Sequence, residues 1–281
     1  MIRIVTDSSC DLPQEEIARH RIAVVPLTIR FGEDDFVDGN DLDGDQFWER
    51  LMAAPEAPST AAPSIGRFQE TFTRLSGEGA DGILVVTLSS RISATHQAAT
   101  LAAEQYPGGI PIQVIDSGLV SAALGLVALD AAETAAAGGS LDEVGAAARR
   151  AAAGSNLFAA LDTLDHLRRG GRIGPAQAFF GSLLDFKPLI TFADGEVAAA
   201  GRVRTRRRAL EAVIAHLADL GDRVRRLAVV HSEPADLSSF VESVAETHGE
   251  TPMLARLGPV VGTHAGPGVA GIAYLLGDSA E

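Results

Sequence analysis

The chain has 281 residues, of which 46% are hydrophobic and 21% charged, with a net charge of −14 and a single cysteine, Cys10. That length holds one large or two modest domains with ample core. The negative balance argues against nucleic acid or an anionic membrane, which need a positive face, and one cysteine excludes intrachain disulfides and cysteine-rich metal sites.

The N-terminus leads straight into a strand without a signal-peptide pattern, and no apolar run approaches the ~20 residues that span a bilayer. A soluble, cytoplasmic protein is the expectation. In chain order, residues 2–5 read as a buried strand that exits into the polar turn Thr6-Asp7-Ser8-Ser9-Cys10-Asp11. Pro13 opens a helix running to residue 19. Residues 22–26 form a second strand, and 27–31 with 36–37 an edge hairpin. Asp43 caps a helix over 46–53, and Ser64 caps another over 67–75, after a Pro- and Ala-rich loop over 54–64 that cannot be helical throughout. The aspartates at 34, 35, 38, 41, 43 and 45 invite a calcium reading. Counted from Asp41, however, the position that an EF-hand loop gives to glycine is Gln46, so the segment reads as a solvated acidic loop.

Residues 83–87 are an apolar, β-branched strand fit for a parallel sheet. They empty into Ser89-Ser90-Arg91-Ile92-Ser93-Ala94-Thr95 and a helix over 96–106. A helix that begins among small hydroxyl residues turns its unpaired N–H groups and the positive end of its dipole toward whatever sits there, which is an anion socket built from neutral groups. The plainer reading is that Ser90 or Ser93 only caps the helix. A strand over 112–115 exits through Asp116-Ser117-Gly118, and long helices follow over 120–137 and 141–153.

This alternation predicts an α/β protein whose N-terminal domain, residues 1–154, is a doubly wound, mostly parallel sheet with helices on both faces. Ligands then lie beyond the carboxyl ends of the strands. Residues 155–281 form a smaller C-terminal α/β domain: a strand over 157–161, a helix over 164–169, an antiparallel hairpin over 187–192 and 197–203, a helix over 206–220, a strand over 227–231, a helix over 235–247, a strand over 253–256 and a Gly-rich end.

Within that end, Gly266-Pro267-Gly268-Val269-Ala270-Gly271 matches G-x-G-x-x-G, but no second strand or acidic residue follows at the spacing a dinucleotide site requires. His264, in the same glycine-rich turn, can reach a polar ligand, although a lone histidine is more often structural. Gly170 and Gly171 let the backbone turn tightly and project Arg172, which alternatively pins the domains together. Arg202, Arg204, Arg206, Arg207 and Arg208 form a basic cluster that is a solvated helix start or a docking patch for an acidic or phosphate-carrying partner.

Taken together and in order, Ile4-Val5-Thr6-Asp7-Ser8-Ser9, Thr60-Ala61-Ala62-Pro63-Ser64, the Ser89 to Ala99 stretch, Val114-Ile115-Asp116-Ser117, the Leu167 to Ile173 stretch, Lys187-Pro188-Leu189-Ile190 and the Gly262 to Gly268 stretch resemble the DegV family of bacterial fatty-acid-binding proteins. The resemblance covers nearly the whole chain. It implies a long-chain fatty acid buried between or beneath two domains, with its carboxylate at Ser93 and Thr60 and His264 completing a polar network. The set of candidate fatty-acid-binding residues is Thr60, Ser93, Ala94, Thr95, Arg172 and His264. Phe158, Phe179, Phe180, Phe186 and Ile190 are candidates for the apolar pocket. Two departures from the family pattern stand out: Thr-Ser-Gln-Pro-Ser is here Thr60-Ala61-Ala62-Pro63-Ser64, and Gly-Thr-Tyr is Ala94-Thr95-His96. The resemblance further implies a non-catalytic carrier that presents the acid to an ATP-dependent kinase subunit for acyl-phosphate formation, with the Arg202 to Arg208 patch as docking surface and with neither cofactor nor metal. The rival is an acyl ester or thioester hydrolase with Ser93 as nucleophile, His264 as base and Asp7 or Asp116 as third member, although no G-x-S-x-G elbow surrounds any serine.

Overall fold

The computed structural model describes residues 1–54, 56–179 and 186–277. The first half runs β1 (Ile2–Asp7), α1 (Gln14–Arg19), β2 (Ala23–Val25), β3 (Thr28–Phe31), β4 (Asp34–Val37) and α2 (Gly44–Ala53). It continues through β5 (Ser59–Ala61), α3 (Ile65–Gly77), β6 (Gly82–Thr87), α4 (Thr95–Glu104), β7 (Ile112–Asp116), α5 (Ser121–Ala136) and α6 (Leu141–Gly154). The second half follows without a linker as β8 (Ser155–Ala160), α7 (Asp165–Arg169), β9 (Lys187–Ala193), β10 (Glu196–Val203) and α8 (Arg206–Leu220). It ends with β11 (Val224–His231), α9 (Leu237–His248), β12 (Met253–Arg256), α10 (Pro259–Ala265) and β13 (Ala270–Leu276).

The first sheet, in the order β2-β1-β6-β7, is wholly parallel. Side chains alternate across it. Val5, Ile83 and Val85 meet Phe68 and Phe72 of α3 and Ala99 and Ala102 of α4, while Ile4, Leu84 and Val86 meet α5 and α6. The second sheet, in the order β10-β9-β8-β13-β11-β12, is mixed, with only β11 and β12 parallel. One of its faces offers Leu157, Ala159, Val230 and Ala273 to the same helices α5 and α6. Its other face is covered by Val213 and Leu217 of α8 and Phe240 and Val244 of α9. The result is five layers, helix-sheet-helix-sheet-helix. Twelve of the sixteen residues of α5 are buried, as its all-round apolar composition requires of a central helix.

The helix caps anticipated at Asp43 and Ser64 form, the former as a full capping box with Gln46. Three features depart from the sequence reading. The hairpin β3-β4 does not edge the parallel sheet; it joins β5 in a separate three-stranded sheet, β4-β3-β5. That sheet and α2 bury Leu27, Ile29, Leu42, Phe47 and Leu51 against Val260 of α10. The Pro- and Ala-rich loop thus contributes a strand, and the glycine-rich end contains a helix as well as a strand. No described helix is long and apolar enough to cross a membrane.

Candidate functional site

Strand β1 leads to β2 on one side and lies beside β6 on the other, so the chain direction switches at the carboxyl ends of β1 and β6. The loops diverge there and leave a crevice. Asp7 closes its base: Oδ1 accepts from Ser9 N and Oγ, and Oδ2 accepts from Leu88 N at 2.8 Å, tying the two strand ends together.

Above this tie lies a cavity of about 290 Å³ between the first sheet's carboxyl end and the inner face of the second sheet. Its walls are overwhelmingly aliphatic, from Leu88 and Ile92 through Val120 to Leu157, Ile190 and Val230, with Phe192 as the one phenyl ring among the described lining. Thr60, Ser93, Ser121, Arg172 and His264 are the polar residues among the described lining. Ala94 also lines it. Thr95 does not; it is fully buried and braces Ser93 from behind, with the two hydroxyls 2.9 Å apart and Thr95 N donating to Ser93 Oγ at 3.3 Å. Ala94, not a serine, occupies the N-cap of α4 and makes no side-chain cap bond. Of the first-turn N–H groups of α4, that of Thr95 is taken by Ser93 Oγ, while the N-cap side chain takes none.

Thr60 sits on β5 opposite Ile29 of β3, which carries its hydroxyl to His264 Nε2 at 2.8 Å. The other ring nitrogen, Nδ1, is buried without a hydrogen-bond partner. Arg172 is held by its own neighbourhood, Nε donating to Ile92 O at 3.1 Å and Nη1 to Gly170 O at 2.7 Å. Burial, and secondarily the Arg172 charge, push the His264 pKa down to about 4, so the imidazole is neutral at pH 7. A neutral donor set beside one guanidinium suits an anion that arrives from water.

Several anticipated residues lie elsewhere. Phe158 points to the opposite face of its sheet and stacks on His216, with ring centroids 4.2 Å apart. Phe186 lies beneath Arg202 and Arg204, 5.1 and 5.9 Å from its ring. Phe180 and the side chain of Phe179 lie outside the described residues. Ile190 does line the cavity, whereas Phe192, two residues on and on the same strand face, escaped the sequence reading. No triad assembles among the described residues. Asp7 is bonded to Ser9 and Leu88, Asp116 accepts from Ser90 N and Gly118 N, and neither reaches the imidazole. No group of three or more His, Cys, Asp or Glu side chains among the described residues is placed to hold a metal ion.

Known proteins share this architecture. A profile of the family described as "Uncharacterised protein, DegV family" matches residues 1–276. A DegV domain-containing protein of Streptomyces coelicolor is 39% identical over 277 residues, covering 96% of this chain and 97% of the relative. A solved DegV family protein from Thermus thermophilus, described by its fatty acid binding, is 31% identical and superimposes with a TM-score of 0.87 over 98% of this chain and 99% of that one. DegV of Bacillus subtilis, described as a fatty acid binding protein, has the same identity, TM-score and coverage. In sequence and in the order of its layers, the chain belongs to the DegV family.

Proposed function

We propose that this protein binds one long-chain fatty acid, with its alkyl chain in the aliphatic cavity and its carboxylate among Thr60, Ser93, Arg172 and His264. The observation that carries this reading is the gathering of those polar groups at one cavity whose remaining described wall, Ser121 apart, is hydrocarbon. Burying ~14 methylenes at about 0.8 kcal/mol each offers roughly 11 kcal/mol before ordering costs. The head group then needs only a few donors to avoid standing as an unpaired buried charge. The relatives from Thermus thermophilus and Bacillus subtilis, both described as binding fatty acid, support the same ligand class.

The protein acts as a carrier, presenting the carboxylate to an ATP-dependent kinase subunit that makes the acyl phosphate. The hydrolase alternative needs an imidazole working on Ser93, yet His264 is engaged with Thr60 and Ser93 with Thr95.

The test is native mass spectrometry of the delipidated protein titrated with palmitate, alongside exposure to a serine-reactive fluorophosphonate. One palmitate per chain and no labelling of Ser93 are expected. Absence of a palmitate adduct overturns the binding reading, and stoichiometric labelling at Ser93 with ester turnover overturns the carrier reading.

A further inference from the structure

Behind the polar wall, one buried carboxyl ties together three segments that are remote in sequence. Asp11 follows the turn after β1 and sits at φ 50°, and its side chain is buried. Its Oδ2 accepts from Ser121 Oγ at 2.6 Å, and its Oδ1 from Gly258 N at 2.9 Å. Ser121, at φ 58°, opens α5 and lines the cavity. Gly258 is the N-cap of α10, whose backbone ladder runs from Gly262 N to Gly258 O and from Gly266 N to Gly262 O, both at 2.8 Å. His264 stands on the last turn of that ladder.

Two non-glycine residues in the left-handed region and an enclosed carboxyl are unfavourable features that an aliphatic filler would avoid. What they accomplish is placement. Helix α10 has seven residues, three of them β-branched and one glycine, so its own propensity does not fix it and tertiary contacts must. The Gly258 N–H is a donor that a helix start leaves unpaired. A Cβ at Gly258 would lie 3.0 Å from Asp11 Oδ1, so glycine is what permits the approach.

We propose that Asp11 is a positioning residue for ligand binding: by holding the start of α10 and Ser121 to the end of β1, it sets where His264 stands against Thr60. The binding half of this inference rests on the fatty-acid reading above; the imidazole half does not. Burial, with smaller contributions from Asp38 and Asp7, raises the Asp11 pKa to about 8. The side chain is therefore largely neutral at pH 7, and in that form the bond to Ser121 reverses, Oδ2–H donating to Ser121 Oγ. Asparagine is a close substitute, since its Oδ1 still accepts from Gly258 N and its Nδ2 donates to Ser121 Oγ.

The test follows the His264 ring protons by NMR through a pH titration and measures palmitate affinity by calorimetry, using the full chain. In Asp11→Ala, the His264 pKa moves up from about 4 toward the ordinary histidine value and palmitate affinity falls about tenfold. Asp11→Asn restores both to within about twofold, and Gly258→Ala, which presses on the same contact from the other side, reproduces part of the change. A wild-type His264 titration in Asp11→Ala, or an Asp11→Asn as impaired as the alanine variant, overturns the proposal. If Asp11→Ala does not fold, a wild-type His264 titration in Gly258→Ala overturns it instead. A wild-type protein that ignores palmitate, combined with the His264 shift in Asp11→Ala, removes the fatty-acid reading and leaves the positioning role standing.

Discussion

Thr60 and His264, 204 positions apart, share a hydrogen bond of 2.8 Å in the wall of the cavity. This bond leaves Nδ1 as the only unpartnered nitrogen on a half-buried ring. Thr60→Val keeps the shape and deletes the hydroxyl, so both ring nitrogens then lack a protein partner. Leaving a buried polar group unpaired costs about 1–3 kcal/mol. Palmitate affinity in Thr60→Val is expected to fall about tenfold by calorimetry; unchanged affinity puts the carboxylate elsewhere.

Gly170 supplies a sharper probe of the same ring. Its φ of −76° is open to any residue, yet a Cβ there would lie 2.2 Å from His264 Nδ1. Gly170→Ala therefore displaces the imidazole, with a closer approach to His166 O at 3.2 Å as the lesser perturbation, and palmitate affinity should drop tenfold or more, about 1.4 kcal/mol per decade. Equal affinity in the variant means that the ring is free to move without consequence to the ligand.

The aliphatic wall of the cavity predicts a chain-length preference for the proposed ligand. Ile190 contributes to the wall from β9, and Ile190→Trp fills space that methylenes would otherwise occupy at about 0.8 kcal/mol each. Competition among saturated acids of increasing length should shift toward shorter chains. An unaltered ranking places the tail along another wall.

The basic cluster separates into anchored and available members. Arg206 is held bidentately by Asp236 and by the Gly268 carbonyl. Arg207 is exposed, with Glu211 one helical turn away as its partner. Reversing Arg204 and Arg207 to Glu together should leave palmitate affinity within twofold while slowing phosphate transfer from a kinase subunit. Loss of palmitate binding would make the patch part of the pocket.

Asp11 also sets a pH dependence. Its folded-state pKa of about 8 lies above the ordinary 3.8, so between those values the folded chain holds a proton that the unfolded chain has released. Stability then falls as pH rises through that window. The lowered histidines, His166, His216, His231 and His264, work in the opposite sense, because around the ordinary 6.5 the unfolded chain takes up protons that the folded rings refuse. Their effect fades about one pH unit above that value, so the Asp11 contribution dominates from about pH 7.5 upward. Urea denaturation should show stability decreasing from about pH 7.5 to about 8.5 in the wild type and a flatter profile over that range in Asp11→Asn.

Much of the architecture was legible because its elements are long and strongly patterned. The run Ile83 to Val86 reads as a strand buried on both faces, and Arg206–Leu220 reads as a helix with the bounds observed. Motif order names Thr60, Ser93, Arg172 and His264 together, which no periodicity could, and all four line the same cavity. Other parts depended on partners remote in sequence. Strand β5 has three residues and exists through pairing with β3. Helix α10 leans on Asp11 and packs so closely on Phe47 and Trp48 that a Cβ at Gly262 would lie 2.7 and 3.0 Å from their rings. Phe158 was misassigned because an aromatic in a two-sided strand carries no mark of which face it takes, and register alone sent it to His216. Asp11 resembled an ordinary polar turn residue, since nothing local signals that Gly258 will arrive from 247 positions away.

Helix α5 is walled on both flanks, by Leu84 and Val86 from one sheet and by Leu157 and Val230 from the other. A fragment cut at the junction of α6 and β8 would therefore carry a greasy helix with one side stripped bare. Such a piece would be prone to clump rather than stand alone, so the two halves are expected to melt as one cooperative body even though α6 passes into β8 at a single peptide bond.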